Sequence, residues 1–379
     1  MIWRIIPVLL QKNNQKSKMK NLSVSVTLTS ELRLEQALKE AGVENPASVT
    51  KLTISGIIGR VNLLKEKKWN TFKECQYRDD FWYINQNMGK TLQELDLGEA
   101  LVDEMKILHN CGALKSVTFP ASLLKFHSWT FPDKPNWSGL TNITVHPDNP
   151  VYTSRDGVLF NKDMTELVYY PQGRQGNYVI PASVRKILRN AFTDCFGLTS
   201  ITIPASVVEI ELGVFCGCTG LTEVVIPASV TYLSTAAFQD CSGLTSVILP
   251  DTLTIIGNSA FNGCTNLKSI IVPASVRKIE HCTFLGCTGL TAVTIPNSVV
   301  EIEWGSFGGC TSLSSVFIPA SVVEIDKEAF EGCDAFISVH PDNPVYASKK
   351  GKLIKSLKIK KLKELNDLFD VPDNTNPIS

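Results

Sequence analysis

Seven of the eleven cysteines occur at one fixed spacing, and thiols repeated in this way could bind a metal ion or form disulfides. Tetrahedral zinc needs four converging ligands, whereas equivalent positions of a repeat project side by side, so we expect no metal site. Disulfides between neighbouring units remain open, but small thiols also pack well as buried apolar groups, and we favour buried thiols. No pairing can be argued among Cys75, Cys216 and Cys282, which lie outside the series. The series has a period of 23 residues: Cys195, Cys218, Cys241, Cys264, Cys287, Cys310 and Cys333.

The five histidines offer the other side chain suited to acid–base or metal chemistry. None lies in a G-x-S-x-G or H-E-x-x-H motif, and no glycine-rich phosphate loop joins a strand to a helix. We therefore predict no catalytic residues, no cofactor, no bound metal and no enzymatic activity. The motif HPDNPVY occurs at 146–152 and 340–346, and its Pro and Asn-Pro favour a turn over a ligand site. The histidines are His109, His127, His146, His281 and His340.

The strands and turns that must position these side chains repeat with the same 23-residue period, and prolines recur at that period too. A representative unit, IPASVVEIELGVFCGCTGLTEVV at 203–225, spaces its apolar residues like neither a single helix nor a single strand. It therefore predicts one turn of a coil. The segment LTSITIP at 198–204 alternates apolar and polar residues, which predicts a strand that proline ends. Seven consecutive units are marked by Pro181, Pro204, Pro227, Pro250, Pro273, Pro296 and Pro319.

Within one unit, Leu198, Ile201 and Ile203 are expected to point into the core from the strand. Val207 and Ile210 are expected to do so from a second, short extended segment. Strands in a sheet lie about 4.8 Å apart, so equivalent residues of stacked units should form ladders. One ladder is a predicted aromatic spine: Phe192, Phe215, Phe238, Phe261, Phe284, Phe307 and Phe330. Another is a corner where glycine takes positive φ at little cost: Gly217, Gly263, Gly286, Gly309 and Gly332.

A strand ending in L-x-x-I-x-I-P, followed by A-S-V-x-x-I and A-F-x-x-C-x-x-L, resembles the BspA-like leucine-rich repeat family. Residues 180–339 follow this frame closely. LTISG at 52–56 with LQELDLGEA at 92–100 resembles the opening cap of that family, and 146–173 resembles a segment inserted between its repeats. The resemblance implies a bacterial protein, secreted or on the cell surface, that acts in adhesion by binding other macromolecules. It implies no catalytic residues.

We therefore expect a repeat solenoid, namely a leucine-rich-repeat right-handed coil of stacked short parallel strands with a small helical N-terminal cap. Residues 1–22 are expected to be a tail or a poor signal segment, and 23–96 the N-terminal cap region. The solenoid is expected at 97–345, with the insertion at 146–173, and a Lys-rich C-terminal tail at 346–379. Within the cap, ELRLEQALKEAG at 31–42 predicts a helix that covers the first edge of the stack.

Charge and hydropathy limit the partners. Lys and Arg together number 37, as do Asp and Glu, so no global field attracts nucleic acid, and we expect none as a partner. No stretch approaches the roughly 20 apolar residues of a membrane-spanning helix, so we predict no transmembrane segment. Locally, 349–363 contains eight lysines. This Lys-rich stretch could contact anionic lipid or polysaccharide, although we expect a solvated cap.

The candidates for partner binding lie at one outward strand position, two residues before each proline. If this sheet face is exposed, these β-branched and apolar side chains form a contiguous patch, which is typical of an interaction site. Strand propensity alone could also select such residues. We predict a non-enzymatic module that recognises a protein or a cell-surface glycan through this face; the alternative is a structural spacer in a cell-surface assembly. The candidates are Thr202, Val225, Ile248, Ile271, Thr294 and Phe317.

Overall fold

The computed structural model describes residues 22–29, 32–58, 80–104, 108, 111–127 and 139–355. The chain divides into two compact units, Met1–Leu221 and Thr222–Ser379. Each unit is built from stacked short strands, most of them parallel and joined by turns, so the predicted repeat solenoid is confirmed. Neither helix found in the described ranges is long and apolar enough to cross a membrane.

The first unit opens with a parallel sheet in the order β1-β2-β3-β5-β6, in which β4 also pairs with β2. Helix α1 packs against β1, the edge strand, as expected for the cap. A short 3-10 turn, Pro46–Ser48, precedes β2. The elements are β1 Leu22–Leu28, α1 Leu34–Glu40, β2 Val49–Ile57, α2 Asp80–Asn87, β3 Glu94–Asp96, β4 Ala100–Leu101, β5 Ser116–Phe119 and β6 Asn142–Val145.

Helix α1 is shorter than the predicted 31–42 because its first turn is fixed by a residue distant in sequence. Arg33 is extended and precedes the helix, and the backbone N–H of Leu34 donates to Asp80 Oδ1 at 3.0 Å. Asp80 is buried, and its other oxygen pairs with Arg33 Nη2 at 3.2 Å. A carboxylate at a helix N-terminus satisfies an orphan donor and complements the helix dipole. The start of the helix thus depends on a tertiary contact.

The rest of the first unit contains an antiparallel meander followed by parallel strands. Strand β8 pairs antiparallel with both β7 and β9, and β9 then pairs parallel with β11, which pairs parallel with β13. Residues 146–173 therefore supply the strand β9, and β11 extends the sheet from the edge of β9. The strands are β7 Tyr152–Arg155, β8 Val158–Asn161, β9 Glu166–Tyr169, β10 Gly176–Val179, β11 Lys186–Ile187, β12 Leu198–Thr202 and β13 Glu209–Ile210.

The second unit repeats one coil, with a first strand of three or four residues and a second strand of two. It ends in an antiparallel hairpin, β25–β26. The first strands are β14 Glu223–Val225, β16 Ser246–Ile248, β18 Ser269–Ile271, β20 Ala292–Thr294, β22 Ser315–Ile318 and β24 Phe336–Val339. The second strands are β15 Tyr232–Leu233, β17 Ile255–Ile256, β19 Lys278–Ile279, β21 Glu301–Ile302 and β23 Glu324–Ile325, and the hairpin is β25 Tyr346–Lys349 with β26 Lys352–Lys355.

The core of each coil is the predicted set of ladders. Leu198, Ile201, Ile203, Val207 and Ile210 are all buried, which confirms their inward orientation. In the second unit the phenyl rings from 238 to 330 stack with centroids 5.2–5.8 Å apart and nearly parallel planes. The corner glycines have φ between 67° and 74°, the left-handed region in which glycine has no steric penalty.

The cysteine ladder is buried beside the phenyl rings, and these cysteines are free thiols. In the second unit Cys264 Sγ donates to the carbonyl of Phe238, and Cys287 to that of Phe261, both at 3.1 Å. Cys333, at the end of the series, is partly exposed. Burial raises the pKa of the Cys287 thiol far above its usual range, so the group stays neutral. Cys75 lies outside the described residues.

Candidate binding face

The outer row is our name for the six predicted positions Thr202, Val225, Ile248, Ile271, Thr294 and Phe317. They point outward because side chains alternate across a strand. Val224 and Ile226 on either side of Val225 are buried, as are Val316 and Ile318 beside Phe317. The proline that follows lacks an N–H donor and ends the strand, so the same position recurs in each coil.

All six residues of the outer row are exposed. Val225 is 55% exposed, Ile248 58%, Ile271 71% and Phe317 49%, so each of these apolar side chains gives about half or more of its surface to solvent. Apolar side chains in a folded core expose almost none of their surface to solvent. These residues contribute little to the stability of the coil, and their side chains are available for contact.

The structure brings five of the six together in the second unit. Val225 pairs in register with Ile248, and Ile271 with Thr294. Strand β16 lies beside β18, and β20 beside β22, which carries Phe317. At about 4.8 Å per strand, the five side chains span about 19 Å. Thr202 lies in the first unit, on β12.

Two exposed residues next to the outer row were not among the predicted positions. Val179 is 67% exposed and pairs in register with Thr202 in the first unit. It stands two residues before Pro181, so the rule that gave the other candidates would have found it. Phe336 is 58% exposed on β24 and pairs with Ser315, so it extends the face at a neighbouring position of the strand.

The face around the outer row is uncharged from β16 to β22. Two residues before each row member, a second outward position is also exposed; it holds Ser246, Ser269, Ala292 and Ser315. Neither position carries an ionisable side chain on these four strands. The two outward positions of these four strands therefore offer aliphatic, aromatic and hydroxyl contact, and at the end of the row the ring of His340 lies edge-on to Phe317, with centroids 6.1 Å apart.

The outward side chains of the second strands are different, because several form ion-pair clusters. Lys278 contacts Glu301 at 3.2 Å and also pairs with Glu303, whose carboxylate accepts a hydrogen bond and raises the pKa of the lysine. Glu209 and Glu211 surround Lys186 in the first unit in the same way. Exposed ion pairs contribute little to stability, and their self-pairing leaves few free charges for a partner.

The histidines stand in separate places, each with its own local partner. His127 Nε2 lies 3.1 Å from Glu104 Oε1, and His281 Nδ1 lies 2.9 Å from Glu303 Oε2. His146 and His340 each accept a hydrogen bond from the backbone two residues on, at 3.2 and 3.1 Å. His109 is outside the described residues. Within the described ranges, no three His, Cys, Asp or Glu side chains are grouped to hold a metal ion.

Of the eight lysines at 349–363, four belong to the described hairpin, and Lys349, Lys350, Lys352 and Lys355 are exposed there. The other four, Lys358, Lys360, Lys361 and Lys363, lie outside the described residues. The tail expected at 346–379 therefore begins with the ordered strands β25 and β26.

A family model described as the BspA type leucine rich repeat region, with six copies, matches residues 164–291 and 254–375. These ranges include every member of the outer row. No curated protein matches the chain.

Solved structures of leucine-rich repeat proteins are similar to this chain. One from Eubacterium ventriosum is 20% identical and has a TM-score of 0.58, over 83% of this chain and 90% of that one. One from Bacteroides ovatus is 18% identical over 89% of this chain and 99% of that one, with a TM-score of 0.46. A leucine rich cell surface protein from Faecalibacterium prausnitzii is 18% identical over 80% and 79%, with a TM-score of 0.39. The first of these shows the shared fold.

Proposed function

This chain belongs to the BspA-type leucine-rich repeat family, and from that premise we propose that it is a non-enzymatic binding module whose outer row contacts a protein partner. As a leucine-rich repeat protein it is an interaction or surface module. The finer statement, that the outer row makes the contact, rests on the exposure of Ile248 and Ile271 on neighbouring strands whose outward positions carry no charged side chain. Contiguous exposed apolar patches usually mark interaction sites.

A protein partner fits this face better than a glycan. Aliphatic side chains such as Val225, Ile248 and Ile271 gain free energy by burying apolar area, about 25 cal/mol per Å², but form no hydrogen bonds. A sugar needs several polar partners, whereas on β16, β18, β20 and β22 the outward positions offer only the hydroxyls of Ser246, Ser269, Thr294 and Ser315. A cell-surface glycan therefore remains the second partner class. A secreted or cell-surface location follows from the family as part of the same proposal.

The experiment is a selection followed by photo-crosslinking. Ligands are selected against the unaltered protein from a displayed peptide library and from a glycan array. Benzoylphenylalanine is then placed at Ile271 of the outer row or, as the matched control, at Ile255. Ile255 is also an exposed isoleucine of the second unit, but it lies on a second strand, β17.

The proposal expects peptide ligands that crosslink from position 271 and not from 255. Crosslinking from 255 alone would place the contact on the second strands and would contradict it. Ligands found only on the glycan array would change the partner class. If neither the peptide library nor the glycan array yields a ligand, the result would favour the alternative function, a structural spacer.

A further inference from the structure

The motif HPDNPVY leads into a hairpin at both of its occurrences, β7–β8 and β25–β26. In each, the tyrosine hydroxyl accepts a hydrogen bond from a backbone N–H: Tyr152 from Phe126 at 3.1 Å, and Tyr346 from Ile325 at 2.8 Å. In both hairpins the turn consists of two residues with positive φ, and the second is a glycine: Asp156-Gly157 in the first hairpin and Lys350-Gly351 in the second. The two hairpins are therefore equivalent structures, and what surrounds one can be compared with what surrounds the other.

The first hairpin is covered by a third strand. Strand β9 pairs antiparallel with β8, placing Tyr169 opposite Leu159, and both side chains are buried. The ring of Tyr169 meets the ring of Phe126 edge-on, with centroids 5.6 Å apart. Strand β9 thus fills the apolar space between the hairpin and the strand position at Phe126.

At the second hairpin the corresponding space is a cleft of about 800 Å³. Leu353 is the counterpart of Leu159, because it follows Tyr346 by as many residues as Leu159 follows Tyr152. Leu353 lines the cleft together with Ile325 and Ile337. Among the described residues, no third strand pairs with β26. The second copy therefore has the apolar floor of the first copy without the strand that covers it.

The aromatic spine also ends at this cleft. Phe307 is fully buried, and Phe330 stacks on it with ring centroids 5.2 Å apart. Phe330 itself is only partly buried and lines the cleft. An occupant of the cleft would cover the exposed side of Phe330 and remove apolar surface from water.

The rim of the cleft is acidic. Six carboxylates and two lysines, Lys327 and Lys355, line it. Three of the carboxylates are already paired, Glu301 and Glu303 with Lys278 and Glu328 with Lys327. In the described part of the chain, no basic group lies within ion-pair distance of Glu324, Asp326 or Glu331. The six carboxylates are Glu301, Glu303, Glu324, Asp326, Glu328 and Glu331. An occupant with apolar residues and several positive charges would complement both the floor and the rim.

We propose that residues 356–369 of the chain itself bind in this cleft and take the place that β9 holds at the first hairpin. The segment starts directly after Lys355, which lines the cleft, so its tether gives an effective concentration of about millimolar or more. Its first eight residues, SLKIKKLK, hold four lysines, three apolar residues and no acid. The bound segment covers Phe330 and the open edge of β26, an edge that could otherwise pair with another chain.

The test uses the full chain and a carbodiimide, which joins a lysine amine to a carboxylate only when the two are in contact. The proposal expects links between the lysines of 358–363 and Glu324 or Glu331, identified by peptide mass spectrometry. Mixed ¹⁴N and ¹⁵N protein should give links within one isotope only. Links between isotopes would assign the cleft to the tail of a second copy, and the absence of links to the cleft would also overturn the proposal.

A charge-reversal variant gives an independent readout. In K358E/K360E/K361E/K363E, amide exchange around Ile325 and Leu353 should become at least about tenfold faster, because local opening is no longer opposed by the bound segment. The matched control K349E/K350E/K352E reverses three exposed lysines of the hairpin that do not line the cleft, and should exchange at the unaltered rate. Equal rates in all three proteins would contradict the proposal. If the reversal variant fails to fold, the crosslinks of the unaltered chain decide.

Discussion

Asn149 and Asn343 make the same four hydrogen bonds at the same distances, although they lie in different units. Asn149 Nδ2 donates to the carbonyls of Pro120 and Leu123 at 2.8 and 2.9 Å, and Asn343 Nδ2 repeats both distances. Each Oδ1 accepts from the two following backbone N–H groups, at 2.9 and 2.7 Å. Both side chains are buried. A single asparagine thus ties the end of a coil to the hairpin that follows it.

Replacing either asparagine should therefore destabilise, but to different extents. Asn149→Ala leaves four backbone groups without these partners and is expected to cost about 2–4 kcal/mol. The meander that follows Asn149 carries the sheet on to β11 and β13, so the loss should appear in unfolding of the first unit. Asn343→Ala should mainly open the terminal hairpin β25–β26. Hydrogen exchange at both hairpins, with urea denaturation, distinguishes the two, and equal global losses would contradict this account.

Phe261→Ala should destabilise the second unit by about 3–5 kcal/mol, the usual loss for truncating a buried aromatic side chain. Phe261 is fully buried between Phe238 and Phe284, at 5.6 and 5.8 Å. Phe317→Ala is the matched control, since it removes the same group from an exposed site, and it should change stability by less than about 1 kcal/mol. Because stacked repeats couple to their neighbours, denaturation of Phe261→Ala is expected to split into two transitions. Similar losses for the two variants would refute the assignment of inward and outward positions.

The ladder thiols should not react in the native protein. Cys218, Cys241, Cys264 and Cys287 are completely buried, so a thiol reagent should label them only on unfolding, without any need for reductant. Cys282 is partly exposed and serves as the internal positive control. Peptide mapping after timed labelling measures both classes. Fast native labelling of the four, or disulfides among them, would show that the ladder is not a set of buried free thiols.

The protein should lose stability at alkaline pH because of the same thiols. Burial raises the pKa of Cys287 and Cys310 far above that of a free thiol, so the unfolded state ionises first, near pH 8.5. The stabilisation is fully present below that pH. Above pH 8.5 the free energy of unfolding falls by about 1.4 kcal/mol per pH unit for each thiol.

Cys287→Ala/Cys310→Ala should therefore show a shallower fall in unfolding free energy between pH 9 and 10 than the unaltered protein. Val276→Ala is the control, because it truncates a fully buried side chain in the same unit without removing an ionisable group. It should keep the original slope. Urea denaturation at each pH gives the slopes, and an unchanged slope in the double cysteine variant would be incompatible with neutral buried thiols.

The coils could be predicted from the sequence because one short period carries strand, corner and core together. The proline spacing located the strand ends, and alternation before Pro250 and Pro273 placed Ile248 and Ile271 outside. The neighbours of Ile271 are buried, and those of Ile248 are half-buried. The same alternation in LSVSVTL marks β1. Strand pattern is thus readable wherever one face is buried and the other is not.

Features that depend on distant residues could not be predicted. The N-terminus of α1 is set by Asp80, which no local pattern links to Leu34. The segment 146–173 was expected only as an insertion that begins with a turn at 146–152; its antiparallel meander could not be predicted, because the pairing depends on the Asp156-Gly157 bend and on how β9 meets β11. The acidic cleft combines Glu324, Phe330 and Leu353 from separate segments, and only the folded chain brings them together.

The most direct test of the binding face compares stability and affinity in one double variant. Ile248→Lys/Ile271→Lys should unfold within about 1 kcal/mol of the unaltered protein, since both side chains are exposed. Its affinity for a ligand selected on the unaltered protein should fall by at least about 2 kcal/mol, or roughly thirtyfold. Tyr232→Lys/Ile255→Lys, which changes exposed residues of the second strands, should retain both properties. Unchanged affinity in a folded Ile248→Lys/Ile271→Lys protein would contradict the proposed binding face, and failure to fold would place these residues in the core.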